Sequence, residues 1–151
     1  MALHLLKMAV GAESVADVAR FQKQRRAERR ASGEGNGTFH FTRNFPRRAE
    51  EVLDGGSLYW IIRGAIVARQ RILGFEERVR PGKRRRRCAI RLAAQIVRTV
   101  PVAHRAMQGW RYLKAEDAPP DLKDAPKNSR AKGTDRLPPR LARELRELGL
   151  I

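Results

Sequence analysis

Asp54-Gly55-Gly56-Ser57-Leu58-Tyr59-Trp60-Ile61-Ile62 carries the chain from a helical pattern to an extended one within a few residues. Just upstream, Pro46 stands at a favoured first helical position, and Ala49, Val52 and Leu53 fall on one face of a short helix. Asp54-Gly55-Gly56 terminates that helix, because glycine tolerates the left-handed backbone that helix ends demand. Leu58 to Ile62 is rich in residues that favour a pleated, buried strand. Gly64 breaks or bulges the run. Ala65 to Phe75 then continues extended, with Arg69 and Arg71 on the face opposite Ala68, Gln70 and Ile72. A helix feeding directly into long strands predicts an α+β domain.

The flanks read the same way. Leu3 to Val10 alternates as a strand, with Leu6, Met8 and Val10 on one face, and Gly11 ends it. Ser14 predicts a helix N-cap with Asp17 as its partner, and the helix runs to about Arg30. Val15, Val18, Ala19 and Gln22 form its inner face. Its basic end, Arg25 to Arg30, serves either the helix dipole or a polyanion. After the loop Ser32–Gly37, Thr38-Phe39-His40-Phe41-Thr42 alternates strictly, which predicts a strand with Phe39 and Phe41 inward. Pro81-Gly82 predicts a turn that puts Lys83 to Arg87 at a hairpin tip. Cys88 to Leu92 returns with Cys88, Ile90 and Leu92 inward and Arg91 outward. Ile96 to Val100 is a short extended piece closed by Pro101, and Gln108 to Leu113 is an aromatic segment. The domain is expected over 1–114. A Pro-, Asp- and Lys-rich linker follows over 115–137, and an amphipathic helix over 138–151 with Leu141, Leu145 and Leu148 on one stripe.

The 151 residues are enough for one domain with a core of its own. Their 33 Lys and Arg against 16 Asp and Glu leave a net charge of +17. From Arg78 to Ala115 there are twelve basic residues and no acidic one. Like charges at that density repel unless an anionic partner lies across them, and nucleic acid is the commonest. RNA is the first expectation and DNA the second. The competing readings are a solvated surface, a localisation arm, or contact with anionic lipid. Cys88 is the single cysteine, which excludes an internal disulfide and suits a reducing cytoplasm. The apolar start, interrupted by His4 and Lys7 with no basic stretch before it, reads as a mature strand rather than a signal peptide. No run reaches membrane-spanning length.

Candidate polyanion contacts are Lys83, Arg84, Arg85, Arg86 and Arg87, continued across the sheet by Arg69, Arg71 and Arg91. A second set, Arg43, Arg47 and Arg48, lies with Thr42 at a strand-to-helix corner, where backbone N–H groups at a helix start can hold an anion; the equal alternative is a capping and salt-bridge role with Glu50, Glu51 or Asp54. Tyr59, Trp60, Trp110 and Tyr112 are the candidate cleft aromatics, since rings beside cations suit base stacking. Alternation puts Trp60 with Leu58 and Ile62, toward a core, and turns Tyr59 the other way. Neither a metal site nor a cofactor is expected. His4 and His40 lie on strands without a clustered carboxylate, and no P-loop or dinucleotide fingerprint is present. No catalytic residue is assigned. Gly55-Gly56-Ser57-Leu58-Tyr59 is not a G-x-S-x-G elbow, and it leads from helix to strand, the reverse of an elbow.

Three segments carry a resemblance: Thr42-Arg43 with Pro46-Arg47-Arg48-Ala49; Asp54 to Trp60 with Arg69-Gln70; and Gln108 to Lys114 with Glu116-Asp117-Ala118-Pro119. Together they resemble a small bacterial family known as domain of unknown function 1489, over nearly the whole chain. That family implies no established activity. Some members carry a lysophospholipase label, which the Ser57 context does not support. The element order is also similar to PUA-like domains of the ASCH and EVE branches. That resemblance implies a small, partly open β-barrel that binds RNA or a modified base in a cleft, here near Thr42, Arg43 and Trp110. Two alternatives stay open. One is a protein-interaction module, ribosome-associated or otherwise, docking through the helix at 138–151. The other is an enzyme acting on a modified nucleotide.

Overall fold

Ser14 decides where the first helix begins. Its Oγ accepts the Asp17 N–H at 3.1 Å, and the Asp17 carboxylate reaches back to the Glu13 N–H at 3.0 Å. In a computed structural model describing residues 2–35, 37–79 and 82–124, this cap separates strand β1 (Leu3–Met8) from helix α1 (Val15–Ala31). Strand β2 (Thr38–Thr42), helix α2 (Ala49–Leu53), β3 (Ser57–Ile62), β4 (Ala65–Val79), β5 (Arg86–Leu92), β6 (Val97–Ala103) and β7 (Trp110–Lys114) follow. Two 3-10 turns, Ala115–Asp117 and Leu122–Asp124, complete the order. The fold is mixed α+β.

The strands form one seven-stranded sheet in the order β2-β5-β4-β3-β1-β7, with β6 pairing β4 off that path. β1 runs parallel to β3, and the other pairings are antiparallel. The sheet is not closed into a barrel: β2 and β7 remain its two ends. β4 is the spine. Its first half lies between β3 and β6, and its second half pairs with β5 after a register shift between Ile72 and Gly74. That bulge turns Leu73 out to 53% exposure and lets one 15-residue strand serve both parts of the sheet.

Local chemistry explains the departures from expectation. Arg63 at φ 50° and Gly64 at φ 80° build a two-residue hairpin, so Gly64 turns the chain rather than bulging one strand. The second helix starts at Ala49, three residues beyond Pro46. Pro101 lies inside β6, where pairing with β4 skips register between Ile66 and Ala68, and an irregular ladder tolerates a missing N–H. Phe39 and Phe41 do not face the main core. They pair with Arg91 and Ala89, while His40 pairs with Ile90 and meets the Trp60 ring edge-on at 4.9 Å. The alternation of β2 is as expected and its parity is reversed. Residues 115–124, at the start of the stretch assigned to a linker, pack beside β6: Val100 donates to Pro120 O at 2.9 Å, and Leu122 joins the core. The expected helix at 138–151 lies outside the described residues.

The larger core gathers Leu5, Val15, Val18, Leu58, Trp60, Ile72, Cys88 and Ile90 under α1. A smaller one, with Leu6, Tyr59, Ile61, Ile66, Met107 and Leu113, covers the other face. Within the larger core β4 carries a buried amide. Gln70 is 0% exposed, and its Oε1 accepts from Trp60 Nε1 at 2.9 Å and Gln22 Nε2 at 2.7 Å. Its Nε2 donates to Gln22 Oε1 at 2.8 Å and to Ala93 O at 2.9 Å. Replacing Gln70 by Leu strands three polar partners and should cost about 2–4 kcal/mol in urea unfolding, with the m-value unchanged. Gly56 offers a second check. A Cβ there would stand 2.3 Å from both Leu3 O and Val52 O, so Gly56→Ala should destabilise by about 1–3 kcal/mol.

Candidate nucleic-acid interface

The β4–β5 hairpin projects the basic run as the spacing predicts. Lys83, Arg84, Arg85 and Arg86 are exposed, and Arg87 is half-buried. Among the described residues none of these five forms an ion pair. Register sets which face they share. Arg87 stands opposite Arg78, and Arg91 opposite Gly74 and Phe39. Arg71 lies on the side of β4 away from the buried Gln70 and Ile72. The outer face of β4 and β5 thus carries an arginine stripe through Arg71, Arg91, Arg78 and Arg87 toward the tip, with Glu76 among them, opposite Ala89 and paired with Arg78 at 2.8 Å. Phe39 and Phe41 lie beside it on β2.

Phe39 is the ring that organises this face. The Arg78 guanidinium lies 4.3 Å from its centroid and that of Arg29 lies 5.1 Å away. Cations over a ring face are attracted by its quadrupole. Arg29 also donates to Gly37 O at 2.8 Å, and Arg26 to Thr38 Oγ1 at 3.0 Å, so part of the basic helix end ties the following strand in place. Burial lowers the pKa of Arg29, and the neighbouring Arg25 and Arg78 lower it further. Beside it, Arg29, Phe41, Arg78 and Arg86 line an open groove of about 490 Å³, with Glu34 and Glu77 also in its wall.

Arg69 is withdrawn from the stripe. Its Nε and Nη2 grip both carboxylate oxygens of Asp121 at 2.7 and 2.8 Å, and its Nη1 donates to Ser57 Oγ at 3.1 Å. No spacing in the sequence signals a pair 52 positions apart. Beyond it Arg71, Arg98 and Lys123 line a second open cleft of about 630 Å³.

At the corner 42–48, Arg48 takes the salt-bridge alternative rather than the anion site. The short α2 offers no anion-binding start: the Arg48 N–H donates to Tyr112 Oη at 3.0 Å, and the Arg48 side chain pairs with Glu51. Trp110 Nε1 donates to Asn44 O at 2.9 Å, and the Trp110 and Tyr112 rings meet at 5.0 Å. Thr42, Arg48, Trp110 and Tyr112 are thus brought together, with their polar atoms already turned on one another and on Asn44. Arg43 and Arg47 stay exposed. Because Thr42 pairs with Cys88, Arg43 enters beside the base of the basic hairpin. Tyr59 and Trp60 are buried at 4% and 3% exposure, on opposite sides of the sheet.

Ser57 is 1% exposed and locked by Arg69. His4 Nδ1 accepts the Ser57 backbone N–H at 3.0 Å, not the hydroxyl. Burial and then Arg69 lower the His4 pKa, and the ring stands edge-on to Tyr59 at 5.0 Å. This is a strand-edge lock rather than a nucleophile beside a base. Among the described residues no three His, Cys, Asp or Glu gather as metal ligands, and no helix is long and apolar enough to cross a membrane.

One cavity has no counterpart in the sequence reading. Lys7, Phe21, Gln22, Arg25, His40 and Trp60 line a cleft of about 350 Å³ between α1, β2 and the ends of β1 and β3. Its residues come from four separate elements, so only the fold assembles it.

Residues 5–151 match the model of a family described as a protein of unknown function (DUF1489). The chain belongs to this family. No curated protein and no solved structure matches it. Family membership therefore supplies no activity.

The Arg69–Asp121 pair yields a pH prediction. Its hydrogen bond to Arg69 holds the Asp121 carboxyl below the ordinary range. Stability from a lowered carboxylate is present above its unfolded pKa of about 3.9 and is lost as pH falls through the folded value. With both groups partly exposed, wild type should exceed Asp121→Asn by only about 1 kcal/mol at pH 7. That margin should shrink below about pH 4, as read from urea midpoints across pH.

Proposed function

We propose that this protein binds nucleic acid, RNA in preference to DNA, on a PUA-like frame and without chemistry of its own. The observation that carries the reading is the arginine hairpin: five adjacent cations, none of them ion-paired among the described residues, at the end of an arginine-bearing sheet face. Phosphates reward such an array by releasing counterions. Phe41, half-buried beside the stripe, favours unstacked RNA, whose bases can lie on an aromatic ring, over a stacked duplex. Arg43, next to Thr42 at the end of β2, extends the same edge. The strand-helix order and the register shift within β4 support the PUA-like relation. Cys88 is buried, and burial raises its thiol pKa, which fits a cytoplasmic protein with no redox role for that residue.

Anisotropy titrations with single-stranded RNA, duplex RNA and duplex DNA at low and physiological salt test this directly. Single-stranded RNA should bind most tightly and survive physiological salt. Replacing Arg84 to Arg87 with Ala should weaken binding and flatten the salt slope by about 2–3, at roughly 0.7 for each phosphate no longer neutralised. An unchanged affinity and slope in that variant would falsify the assignment.

A further inference from the structure

We propose that the cleft between α1, β2 and the β1–β3 edge is a binding site for a single nucleotide, its base against Phe21 and its phosphate on Lys7 and Arg25. The inference rests on the nucleic-acid reading for its ligand class, but its geometry is independent of the hairpin. The cleft, at about 350 Å³, is within the range of small-ligand sites. Its wall offers a planar heterocycle one ring, Phe21 from the helix, above a floor of Trp60 from β3, 3% exposed, with His40 from β2 set edge-on to it. The Trp60 indole N–H is already given to Gln70, which fixes the ring in one orientation. A floor held this way need not rearrange when a base enters against Phe21.

Charge at this site has one sign. The lining contains Lys7 and Arg25 and no Asp or Glu. Lys7 projects from β1 at the register position of Trp60, and it is only partly exposed. Burial lowers its pKa, with no compensating carboxylate. A desolvated ammonium without an acidic partner is costly unless an anion arrives. A phosphate supplies that anion, and charge-assisted hydrogen bonds to Lys and Arg are the strong kind. Apolar rings within and cations alone around them match a nucleotide better than a neutral nucleoside or a simple anion.

Isothermal titration of the full chain would use the four ribonucleoside 5′-monophosphates, their unphosphorylated nucleosides, inorganic phosphate, and dinucleotides. At least one monophosphate should bind one-to-one, roughly tenfold or more tighter than its nucleoside and than phosphate alone. Lys7→Met and Arg25→Ala should each weaken it about tenfold. Lys7→Met should not lower Tm, because it removes a desolvated charge, so lost binding in that variant is not lost folding. Dinucleotides binding more tightly than monophosphates would assign the cleft to a residue within a strand. Equal affinity would assign it to the free nucleotide. The proposal is overturned if no monophosphate binds at millimolar concentration, if phosphate alone binds as well, or if neither variant changes affinity. A protein that binds long RNA but no mononucleotide would lose the cleft and keep the hairpin. One that binds mononucleotide but no long RNA would do the reverse.

Discussion

The buried Gln70 amide is the constraint on which the rest of the structure depends. A side-chain amide in an apolar core is tolerated only with its hydrogen bonds made. Here both lone pairs and both N–H groups have partners, on α1, on β3 and on the segment joining β5 to β6. Those four bonds fix three things together. They hold α1 over the sheet through Gln22, they set the Trp60 ring, and they bind Ala93 where the return strand leaves β5 for β6. The bend of β4 just beyond, at Leu73, follows from serving two partners in succession. Because the network is directional, it selects one arrangement of helix on sheet where apolar packing alone would allow several.

That arrangement segregates charge. The inner faces of β4 and β5 carry Ile72, Cys88 and Ile90 into the core, so their arginines are forced outward together. Asp121 neutralises Arg69, and Glu76 contacts Arg78 at 2.8 Å. Arg71, Arg91 and the hairpin tip have no such relief among the described residues. The same fold leaves Lys7 half-buried beside aromatic rings, on the other side of the sheet from the arginine stripe. Two cationic features thus arise on two faces, a long stripe and a small cleft.

Much of this was legible in the sequence. Ser14 with Asp17, the strict alternation of Thr38 to Thr42, the outward side of Arg69, Arg71 and Arg91, and the exposed tip after Gly82 all follow from local periodicity and turn chemistry. What could not be read depended on distant partners. The face to which β2 turns its phenylalanines is set by pairing with β5, and alternation alone is blind to which side is the core. Pro101 reads as a strand end until β6 is seen to skip register against β4. Trp110 and Tyr112 look like stacking residues, yet Asn44 and Arg48 hold their polar atoms. The cleft joins Lys7, Phe21, His40 and Trp60, four residues with no common motif.

Nucleic acid lying along the β4–β5 arm and its flanking arginines is the central claim. Amide chemical-shift mapping of the isotope-labelled full chain with a short single-stranded RNA tests it most directly. Perturbations should concentrate at 82–91, with Phe39, Phe41 and Arg78, and the β7 amides at 110–114 should change little. Perturbations centred on 110–114 and spared at the hairpin, or none at all at saturating RNA, would contradict it.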